Sequence, residues 1–172
     1  MSLTFDHIKS IQGIKQMANA CAIDNALLAD VVNALSQKDY SSAYYASWIL
    51  AHCFTEHTDL YQSKYTPILL HAANAFKGKS GIMRNVLKVF QSVEIKGKQI
   101  ETVMELAYNT LENIQAEAAL RAFSITILER YIQHFPELIP DLIFMLEREL
   151  PNAGAAFTVR ARLFLKRYKH NT

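Results

Sequence analysis

The residues best equipped for chemistry in this chain are His52, Glu56 and His57, in the string His-Cys-Phe-Thr-Glu-His. His52 and Glu56 stand four apart, and on a helix that spacing puts both on one face, near enough to share an ion. The string matches neither the His-Glu-x-x-His nor the His-x-x-Glu-His order of zinc enzymes. A third ligand has to come from elsewhere, with His71 the candidate in kind. The other reading is a solvated histidine–glutamate pair at a helix end. His52 and Glu56 therefore stand as a candidate pair only, and no metal or cofactor is expected.

Charge patterning offers a second class of site. Arg84, Lys88 and Gln91 share one face of a helix predicted over ~81–92, and Glu101, Glu105 and Glu112 share one face of the next. Lys77, Lys79, Lys96 and Lys98 flank the basic stripe, so residues 77–98 carry six cations against one acid, Glu94. Such a patch suits an anionic partner, or is a solvated outer face. Arg160, Arg162, Lys166, Arg167 and Lys169 follow the last acid, Glu149. Cations late in a terminal helix complement its dipole and keep an end cap soluble, or contact phosphate or an acidic partner. Arg121 opens a very apolar stretch and is read as a paired structural arginine or as a pocket residue. The candidate binding residues are Arg84, Lys88, Arg121, Arg160, Arg162 and Lys166. Tyr44, Tyr45, Trp48 and Phe54 read as core rather than as a ligand cage. Tyr61 and Tyr65, in a loop, read as exposed contacts.

Several chemistries have no motif here. The segment Lys77-Gly78-Lys79-Ser80-Gly81 lacks the spacing of a phosphate-binding loop, and there is no Gly-x-Ser-x-Gly elbow and no Cys-x-x-Cys. A net charge of +2 over 172 residues is close to neutral, which argues against a nucleic-acid-coating protein. No apolar run approaches the roughly 18 residues of a membrane span. Residues 1–10 show no basic stretch leading into an apolar one, so no secretory signal is expected. Cys21 and Cys53 then read as reduced core thiols of a cytoplasmic protein.

The elements that must position these residues are helical throughout. Helices are predicted over ~4–20, from Asp24 to ~36, from Ser41 or Ser42 to about His57, and from a Thr66-Pro67 start to Phe76. Others run over ~81–92, ~98–113, ~116–134, ~137–150 and ~155–168. Gly78 can end a helix in the left-handed conformation and Ser80 can cap the next. The third and seventh helices are apolar on most sides, so they belong inside the fold, while the first and last act as end caps. Half the residues are apolar and only five Gly and four Pro are present, which suits a large helical core.

A repeat underlies this pattern. Ala43-Tyr44, Arg84-Asn85, Arg121-Ala122 and Arg160-Ala161 each come early in a helix and are about 41, 37 and 39 residues apart. That period suits two-helix repeats. One helix pair cannot bury both apolar sides alone, so pairs must stack. The chain resembles the HEAT/armadillo-like superfamily over roughly residues 40–168. The resemblance rests on Ala46-Ser47-Trp48-Ile49-Leu50 with Pro67-Ile68-Leu69, on Arg84-Asn85-Val86-Leu87, on Arg121-Ala122-Phe123 with Pro136-Glu137-Leu138, and on Arg160-Ala161-Arg162. It implies an all-α fold, a short right-handed α-α superhelix of about four antiparallel helix pairs, as one domain over 1–172.

The superfamily is known mainly as a surface for binding proteins and sometimes nucleic acids. The expectation is therefore a non-catalytic scaffold for a protein partner. The alternative is a DNA-binding protein similar to the alkylation-repair proteins of HEAT-like fold. An enzyme is not expected. All-α lyases of the fumarase and adenylosuccinate lyase type are far longer and carry a serine-rich loop with Met-Pro-x-Lys-x-Asn that has no counterpart here.

Overall fold

Side-chain caps set where the first three helices begin. The computed structural model describes residues 5, 8 and 10–169, which hold α-helices and short 3₁₀ turns and no strand. Ser10, in extended backbone, accepts a bond from Gly13 N and starts α1 at Ile11–Ile23. The first helix thus begins later than the pattern suggests; residues 4, 6, 7 and 9 of the expected span lie outside the described residues. Asp24 ends α1 and caps α2 (Asn25–Leu35), its Oδ1 accepting from Ala26 N at 2.8 Å and Leu27 N at 3.1 Å. Asp39, rather than Ser41 or Ser42, caps α3 (Tyr40–Glu56), accepting from Ser42 N at 2.8 Å. That bond, one from the Ser42 hydroxyl and a weaker one from Ser41 N hold the Asp39 carboxyl below the usual carboxylate range.

The next starts also differ from the expected caps. Thr66 is the first residue of α4 (Thr66–Ala75), followed by Pro67 where a missing N–H costs nothing. Its hydroxyl bonds Tyr61 Oη at 2.7 Å instead of capping. Gly78 takes φ +88° between α4 and α5 (Ser80–Ser92), and Ser80 lies inside α5 rather than ahead of it. The remaining helices are α6 (Gln99–Glu112), α7 (Ala118–Tyr131), α8 (Ile139–Glu149) and α9 (Ala155–Tyr168). Pro136 and Pro151 sit in 3₁₀ turns before α8 and α9.

The helices gather into two compact units, Met1–Lys96 and Gly97–Thr172. In the first, α1, α2 and α5 all pack on α3, and α2 also packs on α4. Ile49 to Phe54 are consecutive and all buried, so this stretch of α3 is covered on every side. In the second, α6 and α9 pack on α7, and α8 packs on α9. Leu120, Ile125, Ile127 and Leu128 of α7 are buried. Contacts between alternate helices — α1 with α3, α3 with α5, α7 with α9 — are what stacked helix pairs require. The apolar all-round character of the third and seventh helices corresponds to this packing.

Candidate functional site

His52 lies in the buried run of α3 and its Nδ1 is 3.2 Å from Glu56 Oε1. Among the described residues no group of three or more His, Cys, Asp or Glu side chains is placed to hold a metal. His71 is exposed on α4. The buried imidazole therefore has a carboxylate partner on its own helix.

A face of the first unit brings together aromatics and cations that the sequence assigned to different categories. Tyr40, Tyr44 and Trp48 follow one another along α3 with ring centroids 5.9 Å apart at both steps. Lys79 Nζ lies 5.4 Å from the centre of the Tyr40 ring, and Phe76 packs edge-on against it. Gly81 meets Tyr44 so closely that a Cβ there would lie 2.6 Å from Tyr44 Cε2. Asn85 Nδ2 donates to Ser47 Oγ at 2.9 Å. These two contacts run in the same order along both helices, so α3 and α5 lie parallel. At 100° per residue, Arg84 and Lys88 then fall on the Gly81 side of Asn85, the side on which Tyr44 and Trp48 lie beyond Ser47. Arg84 is exposed and Lys88, Tyr44 and Trp48 are half-buried. Phe54, by contrast, is wholly core. Tyr65 is buried as well, stacked 5.1 Å from Phe54, with Tyr61 edge-on at 5.3 Å. Of the loop pair expected as exposed contacts, Tyr65 is buried and Tyr61 half-buried, because both rings pack on Phe54 of α3.

In the second unit the recurring arginines part company. Arg121 is buried, its side chain 8% exposed. Its Nε donates to Leu111 O at 2.9 Å, its guanidinium sits 4.5 Å from the Phe157 ring centre, and Nη2 lies 3.4 Å from Glu149 Oε2. The last contact is an ion pair without hydrogen-bond geometry. Leu111 O is one of the carbonyls that the last turn of α6 leaves without an intrahelical donor, so Arg121 closes that helix end and matches its dipole. This side chain is not on the surface with the other candidates. Arg160, Arg162 and Lys166 are exposed on α9. Two other cations near the same end are engaged within the unit: Arg167 bonds Glu129 of α7 at 2.6 Å, and Lys169 pairs with Glu147 of α8. Part of the basic C-terminal pattern thus fastens α9 to its neighbours.

The acidic stripe of α6 borders a feature that sequence reasoning missed. Glu101, Met104, Glu105 and Tyr108 line a cavity of about 280 Å³ whose other wall is Phe135 and Leu138, from the 3₁₀ turns after α7. Burial first, then the charges of Asp141 and Glu112, push the Tyr108 phenol above its ordinary value. The glutamate spacing was visible in sequence; the apolar wall was not, because it arrives from about thirty residues downstream with no periodic signal of its own.

The family model for a HEAT repeat domain matches residues 4–166. No curated protein matches the chain, and no solved structure does.

Proposed function

The chain belongs to the HEAT repeat family, and from that premise we propose that it is a non-catalytic scaffold binding a protein partner through the surface of its stacked helices. The observation that carries this reading is the α3–α5 face. There Tyr40, Tyr44 and Trp48 remain partly open to solvent beside Lys79, Arg84 and Lys88. Tyrosine, tryptophan and arginine are the residue types that most often anchor protein interfaces. Arg160, Arg162 and Lys166, exposed on α9, form a second cationic surface. Cys21 and Cys53 are both free and buried, which suits a reducing compartment and supports a cytoplasmic protein. Among the described residues no helix is long and apolar enough to cross a membrane.

A second reading has one observation in its favour. A run of neighbouring aromatic rings beside cations also suits single-stranded nucleic acid, whose bases stack on such rings. The two readings separate by experiment. Affinity capture with the intact chain, followed by direct binding to each purified candidate, is compared with R84E/K88E and with W48A. The scaffold reading expects a protein whose saturable binding is lost in both variants while R84E/K88E keeps the far-ultraviolet circular dichroism of the unaltered chain. A labelled oligonucleotide that binds, with affinity falling steeply between about 50 and 200 mM salt, replaces that reading with the nucleic-acid one. Turnover of a substrate by the purified chain would falsify the non-catalytic claim.

A further inference from the structure

The second unit treats its acids in two ways. Glu129, Glu147 and Glu149 are each held by a cation of the same unit: Arg167, Lys169, and Arg121 with Arg148. The acids around the α6 cavity are not. Glu101, Glu105, Glu112 and Asp141 are exposed, and none of them appears in an ion pair among the described residues. Glu101 and Glu105 rim an apolar floor of Met104, Tyr108, Phe135 and Leu138.

Size and charge together narrow the occupant. Ligand pockets begin at roughly 300 Å³, so about 280 Å³ stands at the small end and suits one or two side chains. An anion would meet the glutamate rim. A neutral apolar ligand would gain from the floor and nothing from the rim. A lysine or arginine next to a large apolar residue gains from both, because its stem can lie along the apolar wall while its head reaches a carboxylate, and because rings of the Tyr108 and Phe135 type attract cations at their faces.

We propose that this cavity docks a short cationic–apolar segment of a partner protein, one large apolar side chain seating on Met104, Phe135 and Leu138 and flanking Lys or Arg reaching Glu101 and Glu105. The inference rests on the scaffold reading in taking the occupant to be protein, and it adds a second surface of opposite charge to the α3–α5 face.

The test uses labelled pentapeptides on the 172-residue chain, read by fluorescence anisotropy. The probes are Lys-Arg-Phe-Arg-Lys, its version with Ala at the centre, the neutral Ser-Gly-Phe-Gly-Ser and the acidic Glu-Asp-Phe-Asp-Glu. The basic phenylalanine peptide is expected to saturate, and the alanine version to bind at least about tenfold more weakly for loss of the buried ring. E101Q/E105Q is expected to weaken the first peptide about fivefold, the size of two partly exposed ion pairs, without changing the far-ultraviolet circular dichroism. R84E/K88E is expected to leave it unchanged. Equal affinity for the alanine version reduces the effect to bulk charge and overturns the proposal. So does equal or tighter binding of the neutral or acidic peptide, which makes the cavity a plain apolar or anion site. Self-association of the chain that disappears in E101Q/E105Q overturns it in favour of a second copy as occupant. Failure of all four peptides, with capture through Arg84 and Lys88 intact, removes the cavity and leaves the scaffold reading standing.

Discussion

A single arginine shows how residue identity and role separate. Arg121 lies one repeat from Arg84 and from Arg160 in sequence, yet it alone is buried, against Phe157, Glu149 and the end of α6. A buried guanidinium is tolerable only with its partners in place. Arg121→Ala leaves Leu111 O without its side-chain donor and Glu149 with Arg148 as its remaining cation. It is expected to cost about 3 kcal/mol in chemical denaturation, within the range for breaking a buried pair. Arg121→Met combined with Glu149→Leu should recover part of that, since apolar side chains refill the site while Leu111 O still lacks its donor. A double variant as unstable as Arg121→Ala would assign the residue a different role.

Among the elements, the helix starts and the α3–α5 seam are where sequence chemistry becomes geometry. Asp24 joins α1 to α2 through one residue and satisfies two N–H groups of α2. Asp24→Ala should lower stability by about 1 kcal/mol, and Asp24→Asn should retain most of it; a thermal melt of the three proteins decides. The seam predicts a change of sign. Alanine is a better helix former than glycine by about 1 kcal/mol, yet at position 81 its Cβ would press on the Tyr44 ring. Gly81→Ala is expected to destabilise the chain by about 1–3 kcal/mol through overpacking. In a Tyr44→Ala background the same substitution should be neutral or stabilising. A double-mutant cycle measures the coupling, and strict additivity would mean that the ring moves aside freely. Asp39 taking the capping role expected of Ser41 or Ser42 teaches the same lesson: the three lie within four positions and each qualifies by type, and the chain direction entering the helix selects among them.

At the scale of the whole molecule, folding sets two thiols far from their ordinary behaviour. Burial, with Cys53 as neighbour, pushes Cys21 up to about 12, and burial with Glu56 nearby pushes Cys53 up to about 11. The unfolded chain ionises both near 9. Below that pH the two states hold the same thiol protons and stability is unaffected. Above it the unfolded state loses protons that the folded state keeps, so alkali favours unfolding until the folded thiols titrate in turn. The slope is about 1.4 kcal/mol per pH unit for each thiol. Denaturation curves at pH 8 and pH 10.5 should show this loss, and a Cys21→Ala/Cys53→Ala chain should show much less of it. An equal loss in that variant would place the alkaline sensitivity elsewhere, among the tyrosines and lysines.

Composition and periodicity by themselves determined that this chain is helical, that α3 and α7 are its innermost helices, and that its apolar seams recur at the spacing of HEAT repeats. Those properties are local or statistical: each depends on which residues lie within a turn of one another, and errors at single positions average out over a helix. Only the tertiary structure decided which of the polar and aromatic candidates face solvent. A step of one residue turns a helical side chain by 100°, so a repeat aligned by residue type put Arg84 and Arg160 outside and Arg121 inside. The ladder of Tyr40, Tyr44 and Trp48 beside Arg84, and the wall of Phe135 and Leu138 over the α6 glutamates, needed residues far apart in the chain to meet. Such meetings are set by packing between helices, and no window of sequence short enough to read contains both sides.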